Sequence, residues 1–252
     1  MTITVRKPNY KFETTSPSYW YGDNKFVSCF LSALSVTFPA GERFFIESVR
    51  DNCKPGFSDE IMADVRGFTQ QEAQHSKAHM AFNAWLAAKG YEAEEFEALV
   101  RAFILQCDKM PPKQRLAATC ALEHITSLMA ERLVGEADRF ATPICEEFRE
   151  FWKWHAMEEY EHKSVAFDVY RKNGYDEFTR MYMAVASTLA LIVGIAGAQT
   201  YFSWTKKGWR GPVDIIRGIG ILYGPRGFIT KSIPAYLQYY KLGFHPTDRD
   251  KH

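Results

Sequence analysis

The stretch WHAMEEYEHKS, Trp154 to Ser164, sets two histidines and three glutamates within eleven residues. A residue of an α-helix advances by about 100°, so His155, Glu159 and His162 fall at roughly 0°, 40° and 340°, inside one narrow stripe. Glu158 and Glu161 fall outside that stripe and read as solvated carboxylates or as ones that take no part in direct ligation. The segment QQEAQHSKAH, Gln70 to His79, repeats the device: Glu72, His75 and His79 lie at roughly 0°, 300° and 340°. Each of two helices thus carries Glu-x-x-His near its middle, where ionisable groups facing a core are costly to desolvate unless paired or bound to metal.

Two other segments each hold a carboxylate among apolar neighbours, Glu42 in FPAGERFF and Glu123 in TCALEHIT. One Glu from each of two helices plus Glu-x-x-His from each of two more is the ligand set of dinuclear carboxylate bundles. Oxygen and imidazole donors suit iron or manganese, and no cysteine pattern suggests a structural zinc site. Neighbouring candidates read differently. His79, one turn beyond His75, is equally a ligand or a group that orients one. His124 reads as a packing or surface histidine, Glu47 as a rival to Glu42 that Arg50 solvates, Trp152 and Trp154 as packing or interfacial residues, and His245 as a loop residue.

The surrounding pattern is helical, with almost no strand-like alternation, and predicts an all-α chain. A first helix is expected over 26–51, bent at Pro39, and a second from the cap Ser58 to Gly90. A short amphipathic piece, EEFEALVRAFILQC, then leads to Pro111 and Pro112, which open a third helix reaching Asp138. Thr142 and Pro143 start a fourth that Asn173 and Gly174 end. Short links join the first to the second and the third to the fourth, while a long one joins the second to the third. That is ferritin-like connectivity.

With 252 residues, 46% of them hydrophobic and 15% aromatic, the chain can bury a sizeable core. The expected organisation is an N-terminal extension over 1–25, a bundle over 26–174 and an appendage over 175–252. Cys29, Cys53, Cys107, Cys120 and Cys145 show no paired spacing, which fits a reducing compartment better than a disulfide framework. The N-terminus lacks the apolar core of a signal peptide, so the cytoplasm, at the inner face of the membrane, is the expected location. Residues 1–180 hold 22 Lys/Arg against 27 Asp/Glu, whereas 181–252 hold 9 against 3, giving −5 and then +6. A basic excess confined to the tail, without interleaved aromatics, argues against nucleic acid and for an anionic membrane surface.

MYMAVASTLALIVGIAGAQTYFSW, Met181 to Trp204, carries no charge over 24 residues, enough to cross a bilayer at about 1.5 Å per residue. Trp204, Trp209, Lys206 and Lys207 suit an interfacial boundary. A single span would put the basic tail opposite the bundle, against the positive-inside tendency, so a monotopic or re-entrant helix, or one buried in an oligomer such as a homodimer, is expected ahead of a single-pass helix.

Over roughly residues 26–172 the sequence resembles the ferritin-like di-iron proteins, and His155-x-x-x-Glu159-x-x-His162 resembles the fourth helix of the p-aminobenzoate N-oxygenase group. FPAGERFF, EAQHSKAH, EEYEHKSVAFDVY and the terminal GFHP together resemble a bacterial family of predicted metal-dependent hydrolases. By motif, the resemblance implies Glu42, Glu72, His75, Glu123, Glu159 and His162 as ligands and His155 as an extra one. The expectation is then a non-haem di-iron oxidase or oxygenase: two iron ions, with manganese as the other metal, dioxygen as co-substrate, an external electron donor, and a small or lipid-like substrate received by way of residues 181–241. The alternative is a metal-dependent hydrolase in which the cations activate a bridging water. A third reading is a non-catalytic iron-binding protein.

Overall fold

A computed structural model of the chain describes residues 3–13, 15–135, 146–206 and 211–251. Among them are helices and turns and no strand, in agreement with the all-α expectation. The first expected helix is two. α1 (Lys25–Ser35) stops, Val36 and Thr37 turn the chain, and α2 (Phe38–Asp51) begins with Pro39 in its first turn. An N–H there has no intrahelical partner to lose, so the proline starts a helix instead of bending one.

α3 (Asp59–Ala88) opens as expected, with Ser58 Oγ accepting from the Ile61 N–H at 3.4 Å, and Gly90 turns left-handed just beyond its end at φ 79°. α4 (Ala93–Cys107) occupies the long link, and α5 (Pro112–Gly135) starts at the second of the paired prolines. The expected extension to Asp138, the Thr142–Pro143 start and Cys145 lie outside the described residues. The fourth helix is also two pieces: α6 (Glu146–His162) and α7 (Val165–Lys172) are separated by Lys163 and Ser164. The break directly follows His162 and lets Val165, Phe167 and Val169 enter a core of their own.

α2, α3, α6 and α5 contact one another in that cyclic order, which makes the bundle. Its core has two halves. At one end Trp20, Phe82, Phe148, Phe151 and Trp152 pack with Leu34 and Phe38. At the other, Phe44, Phe68, Leu116, Phe167 and Tyr170 pack with Tyr239 and Phe244. The residues of the opening stretch lie between the halves: His162 meets Phe68 at 5.0 Å, while His155 meets Phe38 at 4.9 Å. Residues 3–13 run extended along α6 and α3, with Tyr10 and Phe12 against Phe151.

α8 (Glu177–Thr205) holds the uncharged stretch and is long and apolar enough to cross a membrane by length and composition. It packs along α1 and α5. Met183, Ala184, Ile195 and Phe202 turn inward, while Phe178, Leu189, Val193 and Trp204 are exposed. Trp209 and Lys207, the rest of the expected interfacial boundary, lie outside the described residues. α9 (Pro212–Tyr223) and α10 (Ile233–Gln238) follow, and a 3-10 turn over Pro246–Lys251 returns to α6, where Asp250 receives Lys163 Nζ at 2.6 Å.

Arg180 ties this appendage down. Fully buried, it donates to the carbonyls of Tyr239 and, at 3.0 Å, Lys241, and it pairs with Glu177. Arg180→Met leaves both carbonyls without a donor, at about 1–3 kcal/mol for each unsatisfied group. Urea denaturation should show a loss of roughly 2–4 kcal/mol, with residues 239–251 becoming the first site of proteolysis; unchanged stability would mean that water can take the arginine's place.

Candidate metal centre

The buried centre is built from four helices. Glu42 comes from α2, Glu72 and His75 from α3, Glu123 from α5, and His155, Glu159 and His162 from α6. All seven are buried, none more than 4% exposed. His162 Nε2 lies 3.0 Å from Glu72 Oε1, 3.3 Å from Glu123 Oε2 and 3.8 Å from Glu159 Oε1. His75 Nδ1 lies 3.5 Å from Glu159 Oε1 and 3.7 Å from Glu72 Oε1. The donor atoms gather into overlapping groups within 4.8 Å: Glu72, Glu123 and His162; Glu42, Glu72 and His75; His75, His155 and Glu159. Glu72 belongs to the first two, as a carboxylate shared by two cations would.

Proximity is not pairing. Both oxygens of Glu42, Glu72 and Glu123, one of Glu159, His75 Nδ1 and His162 Nε2 are buried without a hydrogen-bond partner. Natural interiors seldom leave such atoms unsatisfied, so their convergence fits bound metal.

The outward nitrogens, by contrast, are all occupied. His162 Nδ1 meets Gln71 Oε1 at 2.9 Å and His75 Nε2 meets Glu158 Oε2 at 3.1 Å, so each ring donates outward and aims its other nitrogen at the centre. Glu158 corrects the sequence expectation. It is fully buried, not solvated, and also accepts from the Arg6 backbone N–H at 3.1 Å. At 300° on the helical wheel it stands only 40° from His162, close enough for the edge of the same face. Glu161 is likewise engaged, by the Arg6 guanidinium at 2.7 Å and by Gln71 at 2.9 Å. Gln71 was legible only as the neighbour of Glu72, and nothing in the sequence pointed to Arg6.

His79 and His155 form a directed chain. Ser35 Oγ donates to Asn83 Oδ1 at 2.6 Å, so at 2.8 Å it must accept from His79 Nδ1. His79 Nε2 is then the acceptor for His155 Nδ1–H at 2.7 Å, which leaves a lone pair on His155 Nε2, 3.0 Å from Glu159 Oε1. Two lone-pair atoms that close call for positive charge between them. The network thus casts His155 as a seventh donor and His79 as the residue that orients it, although His79 also lies within reach of Glu42. Burial, with His155 and His75 nearby, pushes His79 well below the ordinary imidazole range, and burial with His75 lowers His155.

The remaining candidates fall elsewhere. His124 is packed between Tyr239 and Phe244. Glu47 is on the surface near Arg43 and Arg115. Trp152 and Trp154 pack around His155 and His75, and His245 bonds Asp168 at 2.9 Å far from the centre.

Electrostatics without metal are settled by protons. Burial raises Glu42 well above the carboxylate range, with Glu72 adding to it, and lifts Glu123 to about 8. Burial acts the same way on Glu72 and Glu159, but the imidazoles beside them outweigh it and both end low. It would also discharge His75 and His162, yet Glu158, Glu159 and Glu72 hold the first, and Glu123, Glu159 and Glu72 the second, well above the usual imidazole value. The shifts thus favour charge on His75, His162, Glu72 and Glu159 and oppose it on Glu42 and Glu123.

An all-helical bundle with such a centre has the buried carboxylate and imidazole donors of a metal-binding protein. The chain belongs to the family described as predicted metal-dependent hydrolase, whose profile matches residues 4–250. No curated protein and no solved structure matches it.

A bound cation would compete with the protons favoured on Glu42, Glu123, His75 and His162, so calorimetry at pH 7 in buffers of differing ionisation heat should show protons released on metal binding. Glu123 also fixes a stability trend for the metal-free protein. Its raised folded value makes its contribution complete below about 4.5 and lost as pH rises to about 8, so the metal-free melting temperature should fall over that window while the metal-loaded one holds. Glu159→Ala should abolish metal binding, Glu158→Ala should weaken it by about 10–100-fold through His75, and Glu47→Ala should leave it unchanged, all read by metal analysis after dialysis.

Proposed function

We propose that this protein is a metal-dependent hydrolase whose catalytic centre is a pair of divalent cations held by Glu42, Glu72, His75, Glu123, Glu159 and His162, with His155 as a further donor. The observation that carries the reading is the convergence of buried, unpartnered carboxylate oxygens and imidazole nitrogens from four helices. Family membership supports hydrolysis as the reaction class. Bound there, such a pair would acidify a water molecule and polarise the oxygen of the bond to be cut.

The chain's own side chains do the rest. Gln71 and Glu158 hold the outer protons of His162 and His75, Ser35 and His79 fix His155, and Phe38, Trp152 and Trp154 keep bulk water from the donors. Access is from the side of α1 and α5, where a chamber of about 60 Å³ meets His155 and Glu159.

That chamber also supports a second reading. Its lining is almost wholly aliphatic and aromatic, with Thr126 and Tyr21 the only hydroxyl side chains, and so offers few groups to steady a leaving group. Oxidation of an apolar substrate by dioxygen at two iron ions of a ferritin-like bundle, fed by an external electron donor, suits such a lining. We also propose that the exposed apolar side of α8, with Val193 and Trp204, rests on a membrane surface.

The two chemistries separate cleanly under anaerobic conditions. Hydrolysis predicts ester or amide cleavage by zinc- or manganese-loaded protein without oxygen or reductant. Oxygen uptake by the reduced, iron-loaded protein, with no anaerobic cleavage of any substrate tested, would replace it with the second reading. Recovery of the whole pool in the soluble fraction without detergent, and no sedimentation with anionic vesicles, would remove the membrane contact.

A further inference from the structure

The chamber beside His155 and Glu159 has an apolar neighbour. Leu34, Phe38, Thr126 and Met129, which help to line it, also line a cleft of about 250 Å³ bounded by α2, α4, α5 and α8. Met129 lines a third space as well, about 450 Å³ between α5, α8 and α10, which shares Ile125 and Leu191 with the cleft. Met129, half-buried on α5, therefore stands where all three meet. An unbranched thioether side chain adapts easily to a passing ligand.

The chemistry of these spaces is uniform. No charged side chain lines the cleft, and its side-chain hydroxyls are Thr37, Thr126 and Ser187 among leucines, phenylalanines and methionines. Close packing normally leaves interiors few voids larger than a water molecule, and an apolar void stays dry and takes apolar ligands. On the α8 side the wall combines Met183, Ser187 and Leu191 with three small residues one turn apart, Ala186, Ala190 and Gly194. Gly194 is not small for the sake of close helix packing: a Cβ added there would meet nothing within 4 Å. Gly194 and Phe103 are exposed, so the cleft opens to the surface between them.

Size distinguishes the two ends. At the donors the chamber is small, about 60 Å³, whereas the adjoining cleft is several times larger and mostly apolar. We propose that the substrate is a single unbranched aliphatic chain ended by one small oxygen-bearing group. The oxygen end lies beside His155 and Glu159, and the chain runs past Met129 into the cleft beneath α8. This rests on the function proposed above only for what happens to the oxygen end; seating of the chain does not depend on it.

The test is to titrate metal-loaded protein calorimetrically with straight-chain alcohols and carboxylates from six to sixteen carbons. Affinity should climb by roughly fourfold per methylene and level off at the length that fills the cleft. Met129→Trp, at the junction, and Gly194→Trp, at the mouth, should each move that plateau to shorter chains with metal content unchanged. Gly194→Trp keeps the test alive if the first variant folds poorly, because the space at its Cβ is open. Affinity independent of chain length, or a plateau that Gly194→Trp leaves in place, would overturn the proposal. Metal analysis of the same samples separates the two claims: chains bound without metal sink the hydrolase reading alone, and metal bound without chains sinks this one alone.

Discussion

Four carboxylates buried within a few ångströms of one another cannot all keep their charge unless positive charge lies among them. Coulomb repulsion at such distances, in an interior of low effective dielectric, is far larger than the margin by which a domain is stable. Glu42, Glu72, Glu123 and Glu159 are therefore the constraint around which the rest is arranged. Protons meet it in the metal-free protein, and under the function proposed above divalent cations would take their place. Four protons and two divalent ions carry the same charge, so the centre can exchange one set for the other without leaving the bundle core charged. A scaffold that must tolerate both states needs rigid walls, and the aromatic packing above and below the centre supplies them.

Rigid walls do not by themselves aim an imidazole. Each histidine at the centre is turned by a partner outside it, and those partners come from distant parts of the chain. Gln71 precedes Glu72 on α3, Glu158 precedes Glu159 on α6, and Ser35 ends α1. Arg6 then gathers Glu158 and Glu161 from the N-terminal segment, more than 150 residues away in sequence. Residues 3–13 have no helical periodicity and no motif, yet they close one side of the centre.

The difference between what could and could not be read from sequence follows from the same geometry. A helix converts spacing into direction, so Glu72 with His75, and His155 with Glu159 and His162, were legible from periodicity, and Glu42 and Glu123 from being charged in apolar runs. The all-α class was legible for the same reason. Glu158 was misread because a stripe has no sharp border: a side chain 40° from the last ligand can reach back to it. The breaks at Val36–Thr37 and Lys163–Ser164 were missed because periodicity runs on through a two-residue turn, and Pro39 looked like a kink because sequence does not say which residue is first in a helix. The hydrogen bonds of Gln71, Ser35 and Arg6 depend on tertiary distances that no local pattern encodes.

The uncharged segment shows the limit of such reading most clearly. A run without charge over one helix satisfies a bilayer, a core and an apolar ligand equally well, because all three remove the same side chains from water. α8 meets two of these conditions on different faces. Ile195, Ala198 and Phe202 pack onto the bundle, while Ala186, Ala190 and Gly194 stand back from it beside the cleft. Small residues are the discriminating feature. Helix contact alone would favour filling that space, since each buried methylene adds about 0.8 kcal/mol, and glycine in a helix interior costs about 1 kcal/mol relative to alanine. A helix that gives up both at Gly194 leaves room beside the cleft, and the cleft shares Met129 with the chamber that Glu159 and His155 line.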